Sequence, residues 1–126
     1  MLGDSTVLAM VAVKDIQQAK QFYGETLGLK QVDENPGGVA YQSGTGTLFV
    51  YQSPTAGTNQ ATSAAWQVAD MEATAEALKA KSVRFEHYEI PGAVSQGDIF
   101  VMGAMKAAWF KDPDGNILSI VNDGKA

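Results

Sequence analysis

The sequence has no cysteine and a single histidine, His87, which removes much of the chemistry a small protein ordinarily draws on. Without cysteine there is no disulfide, no thiolate nucleophile and no Cys-based metal site. With one histidine, a nucleophile–histidine–acid triad has only His87 to form around. That residue lies between Glu86 and Tyr88, with Glu89 two positions on and no nucleophile paired with it in the pattern. Basic charge is scarce as well. Nine Lys and Arg stand against 14 Asp and Glu, for a formal charge of −5, and no basic cluster interrupts that balance. Nucleic acid and anionic membrane surfaces are therefore not expected partners. Long hydrophobic runs are missing too: Val7 to Val13 stops at Lys14-Asp15, with no positive segment before it and no small-residue cleavage site after it. That is too short and wrongly flanked for a signal peptide or a membrane span, so the expected location is cytoplasmic.

What is present suits one globular domain. In 126 residues, 45% are apolar and 18% charged, enough to build a core and ordinary for a folded chain. Val7–Val13 reads as a strand buried on both faces, followed by Asp15 as a helix N-cap with Gln18 three residues later. Ile16, Ala19, Phe22, Tyr23 and Leu27 fall on one side of that helix, and Gly28 closes it. Strands are predicted over 29–34, 39–42 and 47–52, with Pro36-Gly37-Gly38 as a hairpin turn. The stretch 53–61 is small, polar and broken by Pro54 and Gly57, as a linker would be. Beyond it the pattern restarts: a strand over 63–68, an N-cap at Asp70, a helix carrying Met71, Ala75 and Leu78, and a strand over 83–88. Residues 89–103 read as a long mobile excursion, and strands over 106–111 and 117–121 flank the turn Asp112-Pro113-Asp114-Gly115-Asn116.

The two halves align on each other. Val13-Lys14-Asp15-Ile16 in the first half matches Val68-Ala69-Asp70-Met71 in the second, each a strand end, a cap and an apolar first turn. Such a repeat points to duplication of one supersecondary unit.

Three stretches resemble the vicinal oxygen chelate superfamily, which includes glyoxalase I, extradiol dioxygenases and bleomycin-resistance proteins. Val11 to Ile16 with Phe22-Tyr23-Gly24-Glu25-Thr26-Leu27-Gly28-Leu29 is similar to the family's opening strand and helix. Trp66 to Met71 is similar to the opening of its second module, and Ala108 to Asn116 to its last turn. The resemblance implies an α+β fold in which two βαβββ modules form an incomplete barrel of mixed strands with the helices outside. It places module one at about 5–53, a linker at about 53–61 and module two at about 62–123 of a single domain.

In metal-dependent members of that superfamily, His, Glu or Gln on the first and last strands of each module holds a divalent ion. The matching positions here are Leu8, Phe49, Ser63 and Ser119, none of them an imidazole or a carboxylate. The expectation is therefore no metal and no cofactor. The turn at Asp112 to Gly115 is no calcium loop, since it lacks the third acidic ligand and the closing Glu. With the opening-strand ligand position facing the pocket, as the resemblance implies, strand alternation puts Leu8, Met10, Phe49, Tyr51, Ser63, Ala65, Gln67, Ser119 and Val121 around its concave face. Trp109 flanks it, and Pro91 to Gly103, carrying Phe100 and Met102, is placed to cover its mouth. An apolar and aromatic lining with a few hydroxyl and amide groups suits a small organic ligand. The reading that follows is metal-independent binding or sequestration of a small, partly apolar molecule, as in the bleomycin-resistance proteins, by a homodimer. Two others stay open: a glyoxalase-related lyase or isomerase using His87, Glu86, Glu89 or Lys106, and a non-catalytic partner subunit. Whether any reaction is catalysed is not decided by the sequence.

Overall fold

The structure, a computed structural model, describes residues 1–123 and divides into two compact units, Met1–Ala56 and the chain from Gly57 onward. Unit one carries β1 (Ala9–Val13), α1 (Ile16–Ala19), a π-helical continuation (Lys20–Thr26), β2 (Lys30–Asn35), β3 (Gly38–Ser43) and β4 (Gly46–Gln52). Unit two carries β5 (Thr62–Val68), α2 (Met71–Ala80), β6 (Phe85–Glu86), β7 (Val94–Gln96), β8 (Ile99–Met102), β9 (Met105–Lys111) and β10 (Ile117–Asn122). The fold is α+β and dominated by its sheets. Both sheets are mixed and open, ordered β1-β4-β3-β2 and β5-β10-β9-β8-β7, with β6 also on β9. No helix among the described residues is long and apolar enough to cross a membrane.

In each unit the first and last strands pair in parallel, which requires a crossover, and the helix lies in it. The two ladders share one register. Ala9 to Val13 stand opposite Leu48 to Gln52, and Ala64 to Val68 stand opposite Leu118 to Asn122. Val13 thus corresponds to Val68 and Gln52 to Asn122, so the last strands lie further apart in the chain than the first strands do. Tyr41, facing Leu48, corresponds to Phe110, facing Leu118, and most of that widening is already present there. Almost all the extra length of unit two therefore falls between α2 and β9.

That extra length is ordered, contrary to the mobile excursion expected at 89–103. It contains the β7–β8 hairpin, whose second strand pairs with Met105, Lys106 and Ala107 of β9. The strand expected over 83–88 shrinks to β6, which covers only Trp109 and Phe110. The two observations have one cause. A strand edge left half open exposes unpaired amides, and the hairpin satisfies the half that β6 does not reach.

Burial follows the helices. Asp15 Oδ1 accepts from the N–H groups of Gln17 (2.9 Å) and Gln18 (3.3 Å), and Asp70 Oδ1 accepts from that of Ala73 (3.0 Å). Helix one widens after Ala19, with Leu27 N–H donating to the Phe22 carbonyl at 2.8 Å, yet Ala19 and Tyr23 stay buried. They complete a core with Val11, Val13, Val39, Tyr41, Leu48 and Val50. In unit two Met71 and Ala75 share the core with Ala108, Phe110, Leu118 and Ile120. The first strand is not buried on both faces as its run of apolar residues suggests. Val11 and Val13 are 1% exposed but Met10 is 49% exposed, because β1 is an edge strand and its helix covers one side only.

The turn at 112–116 is a buried polar knot. Asp112, 5% exposed, accepts at Oδ1 from the N–H groups of Asp114 (3.0 Å) and Asn116 (2.9 Å), and at Oδ2 from Asn116 Nδ2 (2.8 Å). Asn116 Oδ1 in turn accepts from Gly57 N–H at 3.2 Å. Gly57 has φ +75°, and a Cβ there would lie 1.8 Å from the Asp114 carbonyl oxygen, so only glycine fits. Replacing Asp112 by Ala strands these donors and should lower stability by about 2–3 kcal/mol in urea unfolding. A loss well under about 1 kcal/mol would show that the turn holds without its carboxylate.

Candidate functional site: an apolar cavity on the second sheet

Strand alternation sends Ala108, Phe110, Leu118 and Ile120 toward α2 and their neighbours to the opposite face. On that opposite face Trp109, Ser119 and Ala65 stand in one row, and Phe100, Ala107, Val121 and Gln67 in the next. Met102 and Met105 pair at the end of the β8–β9 hairpin and are 43% and 59% exposed. A cavity of about 470 Å³ opens over these rows. Its remaining wall comes from Ile90 and Ala93, held by a tight turn in which Ala93 N–H donates to the Ile90 carbonyl at 3.1 Å. Pro91 and Gly92 supply that turn, Gly92 with the positive φ of +84° that the third position of a type II turn demands.

Trp109 is the centre of the lining. Its indole N–H donates to Thr62 Oγ1 at 3.1 Å. Tyr88 and Phe100 meet its ring edge-on, with centroids at 5.8 and 5.5 Å. These contacts fix the ring plane and leave an aromatic wall to the cavity. Ser119, 2% exposed, donates its hydroxyl proton to the Ile120 carbonyl at 3.3 Å. Lys106 also borders the cavity, but its ammonium is turned away. It shares the parity of Ala108 and Phe110, and Nζ lies 3.3 Å from Glu72 Oε1 on α2.

Of the residues singled out by sequence, Trp109, Ser119, Ala65 and Val121 line this cavity, with Phe100 and Met102 of the 91–103 segment. Ser63 and Gln67 lie on β5 with the parity of Ala65 but outside the lining. Met10, Phe49 and Tyr51 belong to unit one, on the sheet face away from its helix, with Met10 paired to Phe49 and Ala12 to Tyr51. Leu8 precedes β1 and is 50% exposed. Sequence reasoning missed Ile90, Ala93, Met105, Ala107 and Thr62. The alternation Met105-Ala107-Trp109 was available as a signal; the 91–103 segment was expected over the pocket mouth, but its pairing with β9 as a strand was not.

The four positions that would correspond to a chelating set offer a leucine, a phenylalanine and two serines. Phe49 lies against the Gly37-Gly38 turn, and Ser119 has its hydroxyl committed to a carbonyl. That donor set does not fit a divalent transition ion. No group of three or more Asp, Glu or His able to hold a metal occurs among the described residues.

The residues considered for catalysis are not brought together at the cavity either. His87, Glu86 and Glu89 are absent from its lining, and Glu86 faces Lys111 at 3.8 Å. His87 has a structural setting instead. Its Nε2 lies 2.7 Å from Asp98 Oδ1, and its ring meets Phe100 edge-on at 5.7 Å. Asp98 sits in the β7–β8 turn and also pairs through Oδ2 with Lys79 Nζ of α2 at 2.6 Å. Two hydrogen bonds, from Lys79 first and His87 second, hold the Asp98 carboxyl below the usual aspartate range. The Lys79 ammonium is stabilised in return, chiefly by Asp98. This ion cluster fastens the hairpin that carries Phe100 into the cavity.

Comparison with known proteins fits this architecture. The family model described as Glyoxalase/Bleomycin resistance protein/Dioxygenase superfamily matches residues 6–120. No curated protein matches the chain significantly. Among solved structures, a glyoxalase family protein from Enterococcus faecalis is 19% identical, covers 97% of this chain and 100% of its own, and has a TM-score of 0.73. A lactoylglutathione lyase from Agrobacterium tumefaciens is 17% identical, with coverages of 97% and 96% and a TM-score of 0.69. An antibiotic binding protein from Streptomyces sp. CB03234 is 21% identical, with coverages of 94% and 97% and a TM-score of 0.67. At these identities the likeness is one of fold.

The Asp98 cluster generates a pH prediction. A carboxyl whose folded-state pKa is depressed contributes stability above its unfolded value, about 3.9, and loses it as pH falls through the lower folded value. Stability of the native protein should therefore fall more steeply below about pH 4 than that of Asp98→Asn. Amide exchange across Val94–Met102 should also be faster in the variant at neutral pH. Superimposable pH profiles would show that the pairing contributes nothing.

Proposed function

The chain belongs to the glyoxalase/bleomycin resistance protein/dioxygenase superfamily, and from that premise we propose that it binds a small, largely apolar organic molecule without a metal. The observation that carries this reading is the cavity of about 470 Å³ walled by Trp109, Phe100, Met102, Met105 and Val121. Its size falls in the range of small-molecule sites, which run from about 300 to 1,000 Å³. Chemistry in the site would need a positioned acid, base or Lewis acid. The one ionisable residue of the lining, Lys106, has its ammonium at Glu72 on α2, and the positions of the superfamily's chelating side chains carry no imidazole or carboxylate. A ligand burying about 200 Å² of apolar surface gains roughly 5 kcal/mol before association costs, so a few added contacts bring micromolar affinity within reach. An antibiotic binding protein of the same fold provides a precedent for binding.

We propose further that the working form is a homodimer, since each open sheet ends in unpaired edge strands of the kind that symmetric assembly covers. Light scattering at micromolar concentration should give twice the chain mass of 13.3 kDa. A monomer mass under those conditions would remove the proposal.

Binding is tested with Nile red, an uncharged apolar dye whose emission rises on burial. Trp109→Ala and Phe100→Ala should each weaken its binding by about 1–3 kcal/mol, roughly 5- to 150-fold, with the far-ultraviolet circular dichroism unchanged. Prolonged treatment with a chelator should leave the titration where it was. Loss of binding after chelation, restored by added zinc, nickel, iron or manganese, would refute the metal-independent reading.

A further inference from the structure

Charge is kept out of the cavity lining. Glu86 and Lys111 share the face of Trp109, but they face each other at 3.8 Å outside the lining. Lys106 alternates with Met105 and Ala107, so its stem borders the space while its ammonium reaches Glu72 on the α2 side of the sheet. His87, Asp98 and Lys79 are engaged with one another behind Phe100. What faces inward is hydrocarbon, the rings of Trp109 and Phe100, two methionine thioethers and two hydroxyls.

The hydroxyls are also constrained. Thr62 Oγ1 already accepts the indole proton of Trp109, which leaves its own proton to donate. Ser119 has given its proton to the Ile120 carbonyl and has only lone pairs to offer. Neither group neutralises a full charge. An ion brought into such a space leaves water without compensation, which disfavours it strongly. A neutral oxygen acceptor beside Thr62 loses far less, because it exchanges one hydrogen bond for another.

Resting on the binding function proposed above, we infer that the ligand is uncharged where it is buried. Its class is an apolar ring or chain bearing a neutral acceptor such as a ketone, ester or ether, and not a carboxylate, phosphate or ammonium. Three probes with one ring system separate the possibilities: 2-acetonaphthone (neutral ketone), 2-naphthoate (anion of nearly the same shape) and 2-naphthylmethylammonium (cation). In calorimetric titrations of the full chain at pH 7, the ketone should bind at least tenfold more tightly than either ion. Met105→Lys places an ammonium at the exposed rim and should raise 2-naphthoate affinity at least tenfold, which shows that the same space is being read. Naphthoate binding as tight as the ketone, and abolished in Lys106→Gln, would mean that the Lys106 ammonium turns inward and would overturn the inference while leaving the binding function intact. Tighter binding of the cation would overturn it in the same way. Failure of all three probes to bind would overturn both.

Discussion

The structure depends on one pairing: the parallel ladder between the first and last strand of each unit. Parallel neighbours cannot be joined by a tight turn, so the intervening chain must cross over, and here it carries a capped helix followed by antiparallel strands. The helix covers a single face of its sheet. Side chains of one parity are then forced into a core, and those of the other parity remain on a face with no helix over it. The strand residues that line the cavity belong to that second parity, except Lys106 and Thr62, the latter lying before the register shift in the β5–β10 ladder. The separation of a core that sets stability from a face that sets recognition follows from the topology.

The two units solve the same problem with different amounts of chain. In unit one, β2 runs beside β3 over most of its length, and no insertion is needed. In unit two, β6 covers only two residues of β9, and the open remainder is filled by the β7–β8 hairpin and the Pro91-Gly92 turn before it. Closing a sheet edge thus also supplies the cavity wall. Phe100 and Met102 reach Trp109 and Met105 because β8 pairs in register with β9. The hairpin is held at its turn by Asp98 between Lys79 and His87, on segments that precede it. The one histidine of the chain thus packs against the back of the site.

Much of this was legible in the sequence, for physical reasons that are local. Asp15 and Asp70 announce helix starts because a short acidic side chain reaches the second or third amide beyond it. Asp112-Pro113-Asp114-Gly115-Asn116 announces a turn for the same kind of reason, and the recurrence of one cap pattern in both halves announces the repeat. Period-two alternation then assigns Met10, Phe49, Ser119 and Trp109 to the face away from the helices. Composition excludes thiol chemistry and disulfides outright, and the Leu, Phe, Ser and Ser at the chelating positions need no structure to be recognised as poor ligands.

Other features were decided only by tertiary contacts. Residues 89–103 carry proline, glycine and isolated apolar residues, a local pattern equally compatible with a loose loop. Their order comes from unsatisfied amides on β9, a strand that follows them in the chain. The one-sided burial of β1 was hidden by a run of apolar residues, since hydrophobicity alone does not say how many faces a neighbour covers. Lys106 looked like a possible catalytic base until its parity and its contact with Glu72 turned it away from the cavity. In each case the sequence specifies what a residue is able to do through its own backbone and near neighbours. Which partner it meets is fixed by strand register, a property of two segments at once.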